Sequence, residues 1–345
     1  MRTAAILVRA PQSLHIWPMA MMDEAIKAFL GQIKLPEIPV TDFQKLDWVQ
    51  TSNRLRQSFF RATGAMEGDA PQLADVSTLP VDGAEGPLKA RLYTPLGAGI
   101  GPGPGIVFFH GGGFMLGNLD SHDMLCRRLA AASRCRLVAV DYRLAPEHRF
   151  PAAHADAESA WRWVMARSDH FMMDPERTAV AGDSAGGNLA AFVAQEMNRT
   201  NGPLPAFQLL LYPLVQFIDI RAKPMPFQES GFFISPNLFD YFRDAYIQHD
   251  ADRHDPRVSP LFADEADLRG LAPAHFVLCG WDPLKDEGQA YAHKLASYGV
   301  PVTVREHSGM VHGFMNLTAL SLPIRDAIRD AGVVVGRALG GLDEC

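Results

Sequence analysis

The stretch Ala179-Val-Ala-Gly-Asp-Ser184-Ala-Gly-Gly187 decides how this chain is read. Apolar residues from Thr178 to Ala181 read as a buried strand, and an apolar run from Leu189 to Met197 reads as a helix. Between them, residues Gly182 to Gly186 fit G-x-S-x-G, a sharp strand-to-helix turn that holds a serine where a substrate can reach it. Side chains at the two glycine positions would clash as strand and helix fold back on each other. The five-residue pattern alone is common. The strand before it and the helix after it make it informative.

Outward from this turn, short apolar strands alternate with helices. The pattern places strands at 106–109, 137–140, 178–181, 207–211, 275–279 and 302–305. Helices fill the gaps near 121–133, 154–167, 185–199, 286–298 and 323–338. Two further strands, 73–78 and 88–94, flank Asp82-Gly83 and Gly86-Pro87, whose turn chemistry predicts an antiparallel hairpin. The fold class is α/β: a mainly parallel sheet covered on both faces, with ligands bound at the carboxyl ends of its strands.

Residues 1–70 read as helical. Met22, Ile26, Phe29, Leu30 and Ile33 share one helical face, and Thr41 or Asp42 is the expected cap of a second helix running towards Arg61. The stretch 214–262 breaks the alternation and carries Phe217, Phe227, Phe232, Phe233, Phe239, Tyr241, Phe242 and Tyr246. It reads as an excursion that joins the N-terminal helices in a helical cap over the strand ends. A plain core helix is the simpler alternative for its aromatic part. The expected division is a cap segment over 1–70 and an α/β domain over 71–345.

The chain has 345 residues, 48% of them hydrophobic, enough for a large core and too many for disorder over most of the length. A net charge of −7 argues against nucleic acid or an anionic membrane as the main partner. The four cysteines, Cys126, Cys135, Cys279 and Cys345, form no C-x-x-C, and no Cys/His cluster has zinc spacing, so free thiols and no metal site are expected. Arg9 breaks the short apolar run from Ala4 to Val8, and three prolines interrupt the uncharged stretch 201–218. Neither reads as a signal peptide or a membrane span, and a soluble cytoplasmic protein is the default.

A serine hydroxyl is a poor nucleophile near neutral pH. It needs a base within hydrogen-bond reach and a third group to orient that base. In this strand–turn–helix architecture the partners follow along the chain, an acid and then a histidine. Asp282 fits the acid: it directly follows the strand ending at Cys279, and Pro283 blocks an immediate helix. Asp286 and Glu287 compete, but their place at the start of the next helix suits capping and the helix dipole. His312 fits the base, presented by a glycine-flanked loop after strand 302–305, with His307 as the runner-up.

The tetrahedral intermediate of acyl transfer also needs donors for its oxyanion. His110-Gly-Gly-Gly113 directly follows strand 106–109, and its glycines let two backbone N–H groups converge. The N–H of Ala185, at the start of a helix, adds a third donor. No phosphate-loop pattern accompanies these glycines, which argues against nucleotide binding. The stretch Asp141–Glu147 either positions the glycine loop by hydrogen bonds or is an ordinary surface turn. Asp183 reads as structural.

Taken together, the chain resembles the bacterial hormone-sensitive-lipase-type (family IV) carboxylesterases of the α/β-hydrolase fold. The matching pieces are His110-Gly-Gly-Gly-Phe114, Asp141-Tyr-Arg-Leu-Ala-Pro-Glu147, Phe150-Pro-Ala-Ala153, Gly182-Asp-Ser-Ala-Gly-Gly187, Asp282-Pro-Leu-Lys-Asp-Glu-Gly288 and His312-Gly-Phe314. The resemblance covers roughly residues 85 to 340, in the expected order. It implies Ser184, Asp282 and His312 as the catalytic triad, and Gly111, Gly112 and Ala185 as oxyanion donors. It further implies a small ester substrate of short to medium acyl chain, no cofactor, and a tendency to form homodimers. An amidase or deacetylase on the same triad and an inactive ligand receptor of the same fold are the alternatives. The receptor would lack the histidine, which this chain has.

Overall fold

The computed structural model describes residues 22–32, 47–218 and 236–342. Its strands are β1 (Leu73–Gly83), β2 (Gly86–Pro95), β3 (Gly103–Phe109), β4 (Arg136–Val140), β5 (Met173–Asp183), β6 (Phe207–Leu211), β7 (Ala274–Trp281) and β8 (Val302–Val311). They form one sheet in the order β1-β2-β4-β3-β5-β6-β7-β8. From β4 to β8 every neighbouring pair is parallel, and β2 runs antiparallel to both of its neighbours. The helices among the described residues are α1 (Glu24–Leu30), α2 (Trp48–Ala65), α3 (Asp123–Ser133), α4 (Ala152–Ala166), α5 (Ala185–Arg199), α6 (Pro236–Tyr246), α7 (Glu265–Leu268), α8 (Lys285–Ser297) and α9 (Leu322–Ala338). None of the described helices is long and apolar enough to cross a membrane.

Successive strand residues face opposite sides of the sheet, so each central strand feeds two cores. In β3, Val107 and Phe109 pack with Trp161 of α4, Leu189 of α5 and Tyr291 of α8. Ile106 and Phe108 pack on the other face with Leu129 of α3 and Ile328 of α9. All of these side chains are fully buried. Each contributes roughly 1.5–3 kcal/mol of apolar burial, and this explains why both-face strands read as unbroken apolar runs.

The expected hairpin is present: Gly83 pairs with Gly86, leaving Ala84 and Glu85 as the turn. Strands β6 and helix α5 have the expected bounds. Strand β5 starts five residues earlier than position 178, and β8 continues to Val311, past the expected end at 305. The second difference corrects the expectation of a loop before His312. The β7–β8 register shifts between Cys279 and Trp281, and Val311 still pairs with Trp281 beyond the irregularity. Gly280 permits this, because a side chain there would overlap the Ser308 backbone.

The second N-terminal helix begins at Trp48 and is capped by Asp47, whose carboxylate accepts the Gln50 N–H at 2.9 Å. Thr41, Asp42 and Ile33 lie outside the described residues, as do Cys345 and Phe227, Phe232 and Phe233 of the aromatic excursion. Ile26 and Phe29 of α1 are buried, and Asp23, which caps α1, donates its N–H to Gly309 O of β8 at 3.0 Å. Helices α2 and α6 meet: Trp48 and Tyr241 stack with ring centroids 5.0 Å apart, and Ser52 Oγ lies 3.0 Å from the Tyr241 hydroxyl.

Candidate active site

Ser184 sits at the end of β5, where the chain turns into α5, with φ 54° and ψ −116°. A non-glycine residue at positive φ is strained, and it persists here because the surroundings fix it. Its N–H donates to Leu211 O at 2.9 Å, and its carbonyl accepts Leu214 N–H at 3.0 Å and Asn188 N–H at 3.1 Å. The turn is too tight for side chains at the flanking glycines. One on Gly182 would overlap the Gly186 carbonyl, and one on Gly186 would overlap the Phe109 carbonyl of β3.

His312 directly follows β8 and Asp282 directly follows β7, so both stand at the same carboxyl edge of the sheet as Ser184. His312 Nε2 lies 2.8 Å from Ser184 Oγ, and His312 Nδ1 lies 2.8 Å from Asp282 Oδ2. A carboxylate only accepts, so Nδ1 carries the proton and Nε2 is left to accept the serine hydroxyl. The other carboxylate oxygen, Asp282 Oδ1, accepts the Leu284 N–H at 2.8 Å and fixes the acid's orientation. All three residues are buried, at 8%, 6% and 8% exposure for Ser184, His312 and Asp282. The Tyr212 ring meets the His312 ring edge-on at 5.0 Å and limits its rotation.

The competing residues stand elsewhere. Glu287 lies in the first turn of α8 and accepts from Gln216 Nε2 at 3.1 Å; Asp286 shares that first turn. His307 packs against Phe314, ring centroids 5.6 Å apart, and burial lowers its pKa.

The glycine loop after β3 departs from expectation at one position. The Gly111 N–H donates to Asp183 Oδ1 at 2.8 Å, so it is already taken and does not serve as an oxyanion donor in this geometry. Gly112, Gly113 and Ala185 have N–H groups with no acceptor among the described residues. Gly112 and Gly113 have φ of 121° and 63°, which turns successive peptide planes and lets adjacent N–H groups converge. The Phe242 ring of α6 lies against Gly113, where a side chain would collide with it. Phe114, next in the loop, stacks on Tyr246 of α6 with centroids 4.1 Å apart.

The stretch Asp141–Glu147 does touch this loop. The Tyr142 hydroxyl donates to His110 O at 2.6 Å, and Ala145 N–H donates to Phe114 O at 2.9 Å. The same stretch helps line a cleft of about 420 Å³ with Arg56, Phe59, Phe60 and Ser121; none of Ser184, Asp282 and His312 lines it.

Sequence reading missed a buried polar cluster beneath the loop. His122, at the start of α3, places Nε2 3.3 Å from Asp183 Oδ1, and both side chains are nearly inaccessible. Burial alone would raise the Asp183 carboxyl; His122, the Gly111 N–H and His110 outweigh it and hold the pKa below the usual range. His110 stacks on Tyr142 at 4.4 Å, and burial, helped by His122, pushes its pKa down to about 3. Nothing in the sequence near His122 marks it, because its partner is 61 residues further along the chain.

Comparison with known proteins identifies the family. A family profile described as alpha/beta hydrolase fold matches residues 106–316. The chain is 43% identical over 263 residues to the carboxylic ester hydrolase LipN of Mycobacterium tuberculosis, covering 74% of this chain and 68% of that protein. It is 35% identical over 272 residues to an ethyl acetate hydrolase of Pseudomonas putida, covering 78% of this chain and 85% of that protein. Among solved structures, an ester hydrolase from the metagenome of Lake Arreo superimposes with a TM-score of 0.84 at 36% identity, covering 93% of this chain and all of that one (100%). The chain belongs to the α/β-hydrolase-fold family, in its hormone-sensitive-lipase-type branch, and is an ester-hydrolysing enzyme.

Proposed function

We propose that the chain is a serine carboxylesterase that cleaves short- to medium-chain esters through an acyl-enzyme on Ser184. The observation that carries this reading is the unbroken chain of two 2.8 Å contacts from Ser184 Oγ through His312 to Asp282. His312 Nε2 takes the hydroxyl proton as Ser184 Oγ attacks the ester carbonyl, and Asp282 stabilises the resulting imidazolium. The N–H groups of Gly112 and Ala185, joined by Gly113, receive the developing oxyanion. His312 then returns its proton to the departing alcohol. Water, activated by the same imidazole, releases the acid. The resemblance to an ethyl acetate hydrolase supports a small acyl group.

Helices α2 and α6 act as the cap in this reading. Phe242 and Tyr246 bring α6 against the glycine loop, and Trp48 and Tyr241 join the two helices. The test is Ser184→Ala on a short-chain p-nitrophenyl ester. Loss of about 10⁶-fold in kcat is expected; hydrolysis at the wild-type rate would reject the assignment.

A further inference from the structure

We infer that Asp183 is a positioning residue for the oxyanion loop, and that His122 is the buried partner that holds it in that role. The inference rests on the serine-esterase reading and deepens it. Asp183 immediately precedes the nucleophile, so its carboxylate is fixed to the same turn that presents Ser184. Its Oδ1 accepts the Gly111 N–H at 2.8 Å. The contact is close enough that a Cβ on Gly111 would lie 2.5 Å from Asp183 Oδ2. One carboxylate thus locks the glycine loop of β3 to the nucleophile turn of β5.

The rest of the loop's first peptides are tied as well. His110 O accepts the Tyr142 hydroxyl at 2.6 Å, and Gly111 O is 2.9 Å from His110 Nδ1. A carbonyl only accepts, so His110 carries its proton on Nδ1. With these groups and the Gly111 N–H committed away from the substrate, the first loop N–H left for an oxyanion is that of Gly112. Gly113 follows at positive φ. The aim of these two donors is set by the plane of the peptide before them, and Asp183 sets that plane.

His122 supplies the counterpart. Its Nε2 faces Asp183 Oδ1 at 3.3 Å and its Nδ1 faces Ser121 Oγ at 2.9 Å. Because the carboxylate only accepts, Nε2 carries a proton. Ser121 is itself held by Asn118, whose N–H donates to Ser121 Oγ at 2.9 Å. A buried carboxylate without donors is strongly unfavourable. Here it has two, one from the loop it orients and one from His122. An apolar residue would fill the space at no such electrostatic cost, but would leave the Gly111 N–H unpaired and the loop free to turn.

The test uses Asp183→Ala and Asp183→Asn in the full chain, with kcat, KM and the inhibition constant of a trifluoromethyl ketone. Ser184 Oγ adds to the ketone carbonyl, and the new oxyanion occupies the place of the ester's. Expected are a fall in kcat of about 10²-fold for Asp183→Ala, as for loss of one oxyanion donor, and of about tenfold for Asp183→Asn. The amide keeps an acceptor for Gly111 and loses the charge facing His122. KM should stay within about threefold, and ketone affinity should fall in step with kcat/KM. If Asp183→Ala does not fold, Asp183→Asn and His122→Gln carry the same readout. A folded variant with kcat within twofold of wild type, a loss confined to KM, or unchanged ketone affinity would overturn the inference. Ser184→Ala, measured alongside, separates this from failure of the esterase reading itself, in which that variant would remain active.

Discussion

Arg56 of α2 grips Glu147 through two parallel contacts of 2.7 Å and also donates to the carbonyls of Met115, at 2.8 Å, and Ala145, at 2.7 Å. One guanidinium therefore ties the N-terminal helix to the end of the glycine loop and to the Asp141–Glu147 stretch. These hydrogen bonds hold the Glu147 carboxyl below its usual range. Lysine cannot reproduce such a fork. Arg56→Ala and Arg56→Lys are both predicted to destabilise the fold by about 1–3 kcal/mol and, with α2 acting in the proposed cap, to raise KM more than they lower kcat. Thermal unfolding and steady-state kinetics check this; a lysine variant indistinguishable from wild type would contradict it.

Gly186 is predicted to tolerate nothing larger. A methyl group there would overlap the Phe109 carbonyl in the centre of the sheet, with no flexible side chain to yield. Gly186→Ala should lose soluble expression, or unfold at a temperature lower by more than about 10 °C, a shift that corresponds to several kcal/mol. An alanine variant with native Tm and activity would show that the turn opens more easily than its packing implies.

Asp282→Asn should reduce kcat by about 10⁴-fold with little change in KM. The amide oxygen would still accept the Leu284 N–H now held by Asp282 Oδ1. Its NH₂ would then face His312 Nδ1, which must turn acceptor and move its proton to Nε2. Such a ring cannot take the Ser184 proton. The geometry would persist while the reaction stops, so a variant with intact Tm and near-native kcat would be inconsistent with this role for Asp282.

Stability should fall as the solution is acidified from about pH 6.5. Burial pushes His110 down to about 3 and His154 and His275 down to about 4, from a usual value of 6.5. Between those values the unfolded chain binds protons that the folded chain refuses, so stability rises with pH there and is lost on acidification. His154 shows the reason: Nε2 donates to Asn188 Oδ1 at 3.0 Å, and Nδ1 accepts the Tyr246 hydroxyl at 2.7 Å. A second proton would reverse the Tyr246 contact and place a full charge on a buried ring, and that desolvation outweighs the Asn188 and Arg257 contacts that favour the charged form. Tm should decline steadily from pH 6.5 to 4, and less steeply in His154→Gln. A flat Tm across that window would contradict the prediction.

The nucleophile turn was legible because its requirement is local: Gly182 and Gly186 are forced by the path of adjacent residues. Asp282 and His312 followed from chain order and from their places after apolar strands. The end of β8 was not legible, since its pairing runs on past an irregularity that Gly280 makes room for, a contact between strands distant in sequence. The start of α2 was not legible: Thr41 and Asp42 are residue types that cap helices, and nothing local marks Asp47, the residue that caps it, above them. The fate of the Gly111 N–H was hidden for the same reason as His122. Both depend on the Asp183 carboxylate, which only the folded sheet brings beneath the loop.

The most direct test is mass spectrometry after treatment with a p-nitrophenyl alkylphosphonate. Phosphonylation of Ser184, one group per chain, with parallel loss of ester hydrolysis is the predicted result. A chain that goes on hydrolysing esters with Ser184 fully modified, or that carries the label on another residue when activity is lost, would contradict the reading of Ser184 as the nucleophile.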